Sequence, residues 1–537
     1  MKKMKTVLLC VFLCILGVCL SACQAGGLPS TANAALTYRL SDEPVTLDPQ
    51  IAADTNAMIT IEALFEGLTR LDADNEPIPG AAESWSSNTD HTVFTFQLRE
   101  NAVWSNGDPV TAQDFLYAFQ RALDPATGST TCEPMYCIKN AEQIRAGTLP
   151  VSELGVSAQG DFTLIVELEY PYEEFPALTA TTPFMPCHEE FFLSCEGQYG
   201  LDARYVLGNG PFTMASRYAW EHGESISLTR SETYQGEDAV YPSSLTLSIG
   251  SLEEGKSLQA LLDGTTCAAS ITVGELAAAE EARCKITSFQ DTTWGLVFNT
   301  SSESLKDEVI RKAFIQTLGR EKLLEYLPEE TIAASDILSP STVFHGSNYR
   351  QLAGSGFFLP QDASAFANAQ SFLSSQEQQN MPSITVLCPD DEAVKRMVNE
   401  MLIAWNETMG QYFNMEPLSR TELERRVSSG NYDMALYPLQ ASGEEPQQVL
   451  SLFTSGREDN PAHLQSAEYD ALLSSLHTLS SEEMLARLVS AEKYLNDHAV
   501  FYPLYYESHY YATAPGITGV IFHPYGRGID FIRAGEE

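Results

Sequence analysis

Between residues 81 and 123 the hydrophobic pattern changes its period, and the rest of the chain is read from that stretch. Phe94, Phe96 and Leu98 alternate with Val93, Thr95 and Gln97. A period of two puts the large apolar side chains on one face of a strand. Asn106-Gly107 then reads as a turn, because both residues tolerate positive φ, and Pro109 sets the exit. Thr111 stands where a helix would be capped, with Asp114 three residues on to complete a capping box and add negative charge at the helix N-terminus. Phe115, Leu116, Phe119 and Leu123 recur at helical spacing until Asp124-Pro125 breaks the pattern, with Gly128 beyond. Trp104 lies between the strand and the turn.

The same rules predict further strands at 37–40, 162–168, 226–230, 245–249, 293–300, 384–388 and 432–437. They predict helices over 59–68, ending on Gly67, over 307–314, and over 392–405 with Val394, Met397, Val398, Met401, Leu402 and Trp405 at a/d-like spacing. Strands alternating with helices indicate an α/β protein. Gly208 and Gly210 could belong to a phosphate-binding loop, but a strand follows them where such a loop needs a helix N-terminus, so they read as a turn. No internal repeat or low-complexity tract interrupts the pattern.

The first residues stand apart. Lys2, Lys3 and Lys5 precede an apolar run from Val7 to Leu20. That run is short for a bilayer core of ~30 Å, which takes about 20 apolar residues, and it reads as the hydrophobic region of a signal peptide. Leu20-Ser21-Ala22-Cys23 resembles a bacterial lipobox, which implies cleavage before Cys23 and lipid on its sulfur. Two acyl chains on Cys23 would hold the protein at a membrane stably. An ordinary secretory signal with an incidental cysteine is the alternative, and it too leads out of the cytoplasm. Residues 24–35, rich in Ala, Gly, Ser, Thr and Pro, read as a flexible tether reaching about 20 Å.

Charge and cysteine content narrow the partners. The chain carries 31 basic and 72 acidic residues, a formal net charge of −41. Loss of residues 1–22 removes three lysines and no acid, leaving 28 basic against 72 acidic and −44. Such a surface repels nucleic acid and anionic headgroups and keeps the protein apart from its neighbours, so a monomer is expected. Seven cysteines remain beyond Cys23, six of them in three close pairs, and an exported protein can keep disulfides. The expected bridges are Cys132–Cys137, Cys187–Cys195 and Cys267–Cys284, with Cys388 a free buried thiol. A metal site is the weaker reading of these cysteines, since neither C-x-x-C nor clustered histidine accompanies them.

Leu98-Arg99 and the run from Trp104 to Asp114, preceded by Ala82-Glu83-Ser84-Trp85, resemble the signature of the large solute-binding proteins of ABC importers, family 5, the oligopeptide, dipeptide and nickel binders. Leu47-Asp48-Pro49, Phe65-Glu66-Gly67-Leu68, Gly208-Asn209-Gly210-Pro211-Phe212 and Phe298-Asn299-Thr300 resemble the same family, although Gly319 stands where Asp is commoner. The resemblance spans nearly the whole mature chain. It implies a two-lobe periplasmic-binding-protein-like α/β fold (type II, cluster C) with an extra subdomain inserted in the first lobe. The implied division is a signal peptide at 1–22, a tether at 23–35 and first-lobe segments at 36–70 and 205–290. The inserted subdomain takes 71–204, the second lobe 291–505, and the return to the first lobe 506–537.

The resemblance also implies a function. A lipoprotein outside the cytoplasmic membrane would capture short peptides between its lobes and deliver them to a permease with its ATPase, with no cofactor. Ala53, Asp54 and Thr55 stand where peptide-binding members offer backbone groups, although Asp54 could instead cap the helix that follows. Tyr136, Trp294, Leu439, Gln440, Ser442, Tyr505 and Glu507 are the other implied cleft residues. Ser442 takes the place of an aspartate that in many oligopeptide binders pairs with the ligand's ammonium group, and Glu444 and Glu445 lie close enough to substitute. A secreted enzyme is disfavoured: there is no H-E-x-x-H, G-x-S-x-G or Walker-type loop, and His188-Glu189-Glu190 lacks a second histidine. A nickel complex, haem or oligosaccharide as cargo, or a sensory or adhesive surface lipoprotein, are the alternatives.

Overall fold

The computed structural model describes residues 33–536 apart from 237, 254, 346, 355–370, 372–383, 410–412, 441–444, 477–478 and 525–527. Cys23, the signal segment, Ser442 and Glu444 therefore lie outside the described residues.

The alternation at 93–98 forms the strand Val93–Leu98, whose buried Phe94 and Phe96 pack on Phe175 with ring centroids 5.3 and 6.2 Å away. It sits second in an antiparallel sheet ordered Ala82–Ser87, Val93–Leu98, Thr163–Glu167, Val156–Ala158. The helix Ala112–Leu123 begins as its capping residues require: Asp114 accepts from the Thr111 N–H at 2.8 Å and from its hydroxyl at 3.0 Å. Buried Trp104 donates its indole N–H to the same carboxylate at 3.4 Å, which ties the turn to the helix start. A second sheet holds the parallel pair Ala35–Leu40 and Ser244–Ile249, then Ser225–Arg230 and Phe212–Met214. Both sheets share one core with the C-terminal residues Ile529, Phe531 and Ile532. This is the first lobe, its inserted subdomain included.

The second lobe is built on a sheet ordered Ala268–Ile271, Phe501–Thr513, Lys285–Phe298, Met434–Gln440, Thr385–Pro389, Asn414–Leu418. Each face of that sheet carries its own core. Leu296, Phe298, Met434 and Leu436 face the helices Glu308–Gln316 and Glu392–Met409, where Trp405 donates to the Phe314 carbonyl at 2.8 Å. Val297, Ala435 and Leu439 face the opposite way, toward Leu488 and Leu495 of the helix Ser481–Asp497.

Two strands serve both lobes. Lys285–Phe298 and Phe501–Thr513 run antiparallel from Lys285↔Thr513 to Val297↔Phe501. Phe289 and Tyr511 pack on the first-lobe core, while Phe298 and Leu504 belong to the second. The pairing slips between Phe289 and Thr292 and again between Trp294 and Gly295. A slip of this kind bends and twists the pair. The boundaries expected at 290/291 and 505/506 fall inside these continuous strands, because the backbone passes from lobe to lobe without leaving its ladder. The boundary at 70/71 cuts the pairing of Thr69–Leu71 with Pro77–Pro79.

All seven described cysteines are free and buried, so the three expected bridges are not formed. Four of the thiols, those of Cys132, Cys137, Cys187 and Cys195, have separate local contacts. Cys137 Sγ approaches the Pro134 carbonyl at 3.3 Å and Cys195 Sγ that of Phe191 at 3.2 Å, while Cys187 lies beside Arg121. Cys267 and Cys284 pack in different apolar clusters.

Candidate ligand cleft

Strand register gathers five of the expected cleft residues. Tyr505, Trp294 and Pro438 form one row across the second-lobe sheet, Tyr506, Thr293 and Leu439 the next, Glu507, Thr292 and Gln440 the third. Side chains two residues apart share a face, so Trp294, Tyr505, Glu507 and Gln440 stand together. Trp294 and Tyr505 stack with centroids 6.1 Å apart and planes 10° from parallel. The Trp294 indole N–H donates to Glu507 Oε2 at 2.7 Å, and the Arg420 guanidinium lies over the same ring at 5.4 Å. His509 bridges Asp291, 2.9 Å from Nδ1, and Glu507, 3.7 Å from Nε2. Its bonds to Asp291 and then Glu507 push its pKa up to about 10, so it is an imidazolium at neutral pH.

A cavity of about 300 Å³ lies on the first-lobe side of the cleft. Its walls come from the helix Thr55–Leu64, the residues after it, the loop at 130–134, the segment 180–183 and the C-terminal return. Gln448, in the second-lobe helix Pro446–Leu450, closes it from the other side, and all other described lining residues belong to the first lobe. Inside, Arg70 pairs with Asp530 at 2.5 Å and with Glu66 at 4.0 Å. The Tyr234 hydroxyl donates to Glu66, and burial raises the Glu66 carboxyl above its ordinary range despite Arg70. Thr131 Oγ1 and Gln448 Oε1 are shut off from solvent with no hydrogen-bond partner.

The lobes touch beyond the cavity. His345 of the second lobe lies 3.8 Å from Glu174 of the inserted subdomain. Burial, then the Glu445 carboxylate from the opposite lobe, pushes the Tyr172 hydroxyl far above its usual range. Burial raises Glu174 to about 7.

A cavity between two lobes joined by continuous strands is the geometry of a binding protein that closes on its cargo, and sequence comparison agrees with it. Residues 76–461 match the family described as bacterial extracellular solute-binding proteins, family 5 Middle. The chain belongs to that family. This solute-binding protein is 27% identical to the dipeptide-binding protein DppE of Bacillus subtilis over 493 residues, 90% of this chain and 89% of that one. It is 27% identical to the oligopeptide-binding protein OppA of the same organism over 528 residues, 94% of each. The substrate-binding domain of an oligopeptide ABC transporter from Bacillus anthracis shares the two-lobe fold, with a TM-score of 0.73 and 24% identity over 94% of this chain and 100% of that one. These relatives are substrate-binding proteins and not enzymes.

The remaining expected residues of the solute-binding protein are placed as follows. Asp54 is the N-cap of the first helix, accepting from the Ala57 N–H at 2.8 Å, and its second oxygen takes the Val45 N–H at 3.3 Å. Ala53 and Thr55 beside it are exposed. Tyr136 is half-buried on the 3-10 helix Glu133–Cys137, whose Glu133 and Pro134 reach the cavity. Leu439 points into the core on the other face of its sheet, away from Trp294, because its position in the strand is odd where Pro438 and Gln440 are even. None of the expected residues that are described lines the cavity itself. Arg70, Thr131, Gln448 and Asp530 do, and sequence reasoning missed them. They come from four distant segments with no shared motif. Phe65, Glu66 and Gly67, inside Phe-Glu-Gly-Leu, and Pro211 and Phe212, inside Gly-Asn-Gly-Pro-Phe, lie in motifs and carried a signal.

Proposed function

We propose that this protein captures short peptides between its lobes and delivers them to an ABC permease, held at the outer side of the membrane by lipid on Cys23. The observation that carries the reading is the cavity of about 300 Å³ walled by the first lobe and closed by Gln448 of the second. Its size lies at the lower end of small-ligand sites. The names of the relatives, a dipeptide-binding and an oligopeptide-binding protein, support peptide as the cargo. Closure on a ligand would shift the population toward the shut form, which a transporter can read as readiness to deliver. Glu445, which faces Tyr172 across the cleft, is the described acidic residue nearest in sequence to Ser442.

Native mass spectrometry of the mature protein purified from rich medium, with fragmentation of what is released, tests the cargo. A heterogeneous set of short peptides is the expected result. A single non-peptide mass, a metal complex or an empty protein that ignores a peptide library overturns it. Loss of membrane association and of palmitate labelling in Cys23→Ser is expected from the anchor.

A further inference from the structure

The two strands that join the lobes are narrowest and least regular at one place. Residues 510–513 pair with Ala268–Ile271 and residues 505–506 with Ile332–Ala333, while Met434–Gln440 lies beside residues 292–298. Between those contacts Phe289, Gln290 and Asp291 face Ser508 and His509 with no third strand beside them among the described residues. The register passes there from Phe289↔His509 to Thr292↔Glu507, so Gln290 and Asp291 oppose Ser508 alone. A bulge in a two-stranded ribbon is where a ladder twists most readily. The first-lobe core ends just before it, at Phe289 and Tyr511, and the second-lobe core begins just after it, at Trp294 and Tyr505.

Side chains tie this slip together. Asp291, buried on the bulged strand, holds His509 Nδ1 at 2.9 Å, and His509 Nε2 lies 3.7 Å from Glu507, two residues along its own strand. One imidazolium therefore stands between two carboxylates. Gln290 Nε2 donates to Ser508 Oγ at 3.4 Å across the same slip, and the Ser341 N–H of the second lobe donates to the Gln290 carbonyl at 3.3 Å. Glu507 in turn takes the Trp294 indole N–H at 2.7 Å. The chain of contacts runs from the bulged residue to the first aromatic pair of the second lobe.

We infer that the lobes turn about this bulge, and that His509, bridging Asp291 and Glu507, is the pin that holds the shut angle. Asp291 and His509 stand on opposite strands at the slip, so turning the ribbon there pulls them apart. Neither residue lines the cavity. They are positioning residues: the pin acts on the lobe angle and sets how much of the ligand-free protein stands open, whatever cargo fills the cleft.

Double electron–electron resonance on the ligand-free mature protein tests this, with spin labels on p-acetylphenylalanine placed at Tyr218 of the first lobe and Ile403 of the second, both exposed. His509→Gln should raise the ratio of long-distance to short-distance molecules by about 3–10-fold, the factor that one net hydrogen bond is worth. Asp291→Asn should act in the same direction, and the double variant should show less than the sum of the two effects, because both break one bridge. Where His509→Gln does not fold, Asp291→Asn carries the same test. Asp48→Asn, which breaks a buried ion pair within the first lobe, is the control: it should lower the urea midpoint and leave the distance ratio alone. A ratio unchanged in both single variants overturns the pin. So does a ratio that rises as much in Asp48→Asn, since the bridge would then only stabilise the fold.

Discussion

At the scale of single residues, the Leu-Asp-Pro motif proves to be an anchor. Asp48 accepts from Arg121 Nη1 at 3.0 Å, and Arg121 Nη1 also reaches Gln50 Oε1 at 2.5 Å while the guanidinium lies over the Phe192 ring at 4.1 Å. Both ions are buried. Removing one charge strands the other, so Asp48→Asn should lower unfolding free energy by about 3–5 kcal/mol in urea titration. His509 offers a second test. Its pKa is raised from 6.5 to about 10, so the stability it supplies is complete below pH 6.5 and is lost as pH rises through about 10. Urea midpoints of the wild type should fall between pH 7 and 10 by more than those of His509→Gln. Equal slopes would show that Asp291 and Glu507 do not hold its proton.

At the scale of elements, close backbone approach explains Gly208 and Gly210. A Cβ on Gly208 would lie 2.1 Å from the Leu64 carbonyl oxygen, and one on Gly210 2.6 Å from the Leu64 carbonyl carbon. The Gly-x-Gly segment is therefore a packing turn against the end of the first helix and cradles no phosphate. Gly295 sits at the second slip of the crossing strands, where a Cβ would meet the Tyr502 carbonyl oxygen at 2.4 Å and the Phe501 ring at 2.5 Å. Gly295→Ala should cost about 1–3 kcal/mol by overpacking. It should also disturb ligand affinity in calorimetry, since Trp294 and Tyr505 share that bend. An unchanged affinity would separate the slip from the cleft.

At the scale of the whole molecule, the contact between Glu174 and His345 joins the lobes, and its energetics depend on pH. Burial raises Glu174 from 4.5 to about 7. A raised carboxyl binds its proton more tightly in the shut form than when exposed, so stability rises as pH falls from 7 toward 4.5. Burial lowers the pKa of His345, which works in the opposite sense below its ordinary 6.5. Substituting Glu174→Gln isolates the carboxyl: the variant should be more stable than wild type by on the order of 1–3 kcal/mol at pH 8, and nearly equal at pH 4.5. Urea titration at both values checks this, with small-angle scattering to compare the radius of gyration. A larger radius for the variant at pH 8 would contradict it.

The sequence by itself determined the local elements, the family and the motifs that carry it. Alternation, helical spacing, capping residues and close-packed glycines act over a few neighbours, so Val93–Leu98, the Thr111 cap and the Gly208 turn were legible without a fold. Strand register, read only from the structure, brought Trp294, Tyr505 and Glu507 onto one face and turned Leu439 to the other. The sequence also paired cysteines by their closeness along the chain, whereas separate packing of each thiol decided otherwise. Thr131, Arg70, Gln448 and Asp530 meet at one cavity although more than 450 residues separate the first from the last in the chain. These four share no signature along the sequence, because they come from distant segments of two lobes that meet only in the tertiary structure.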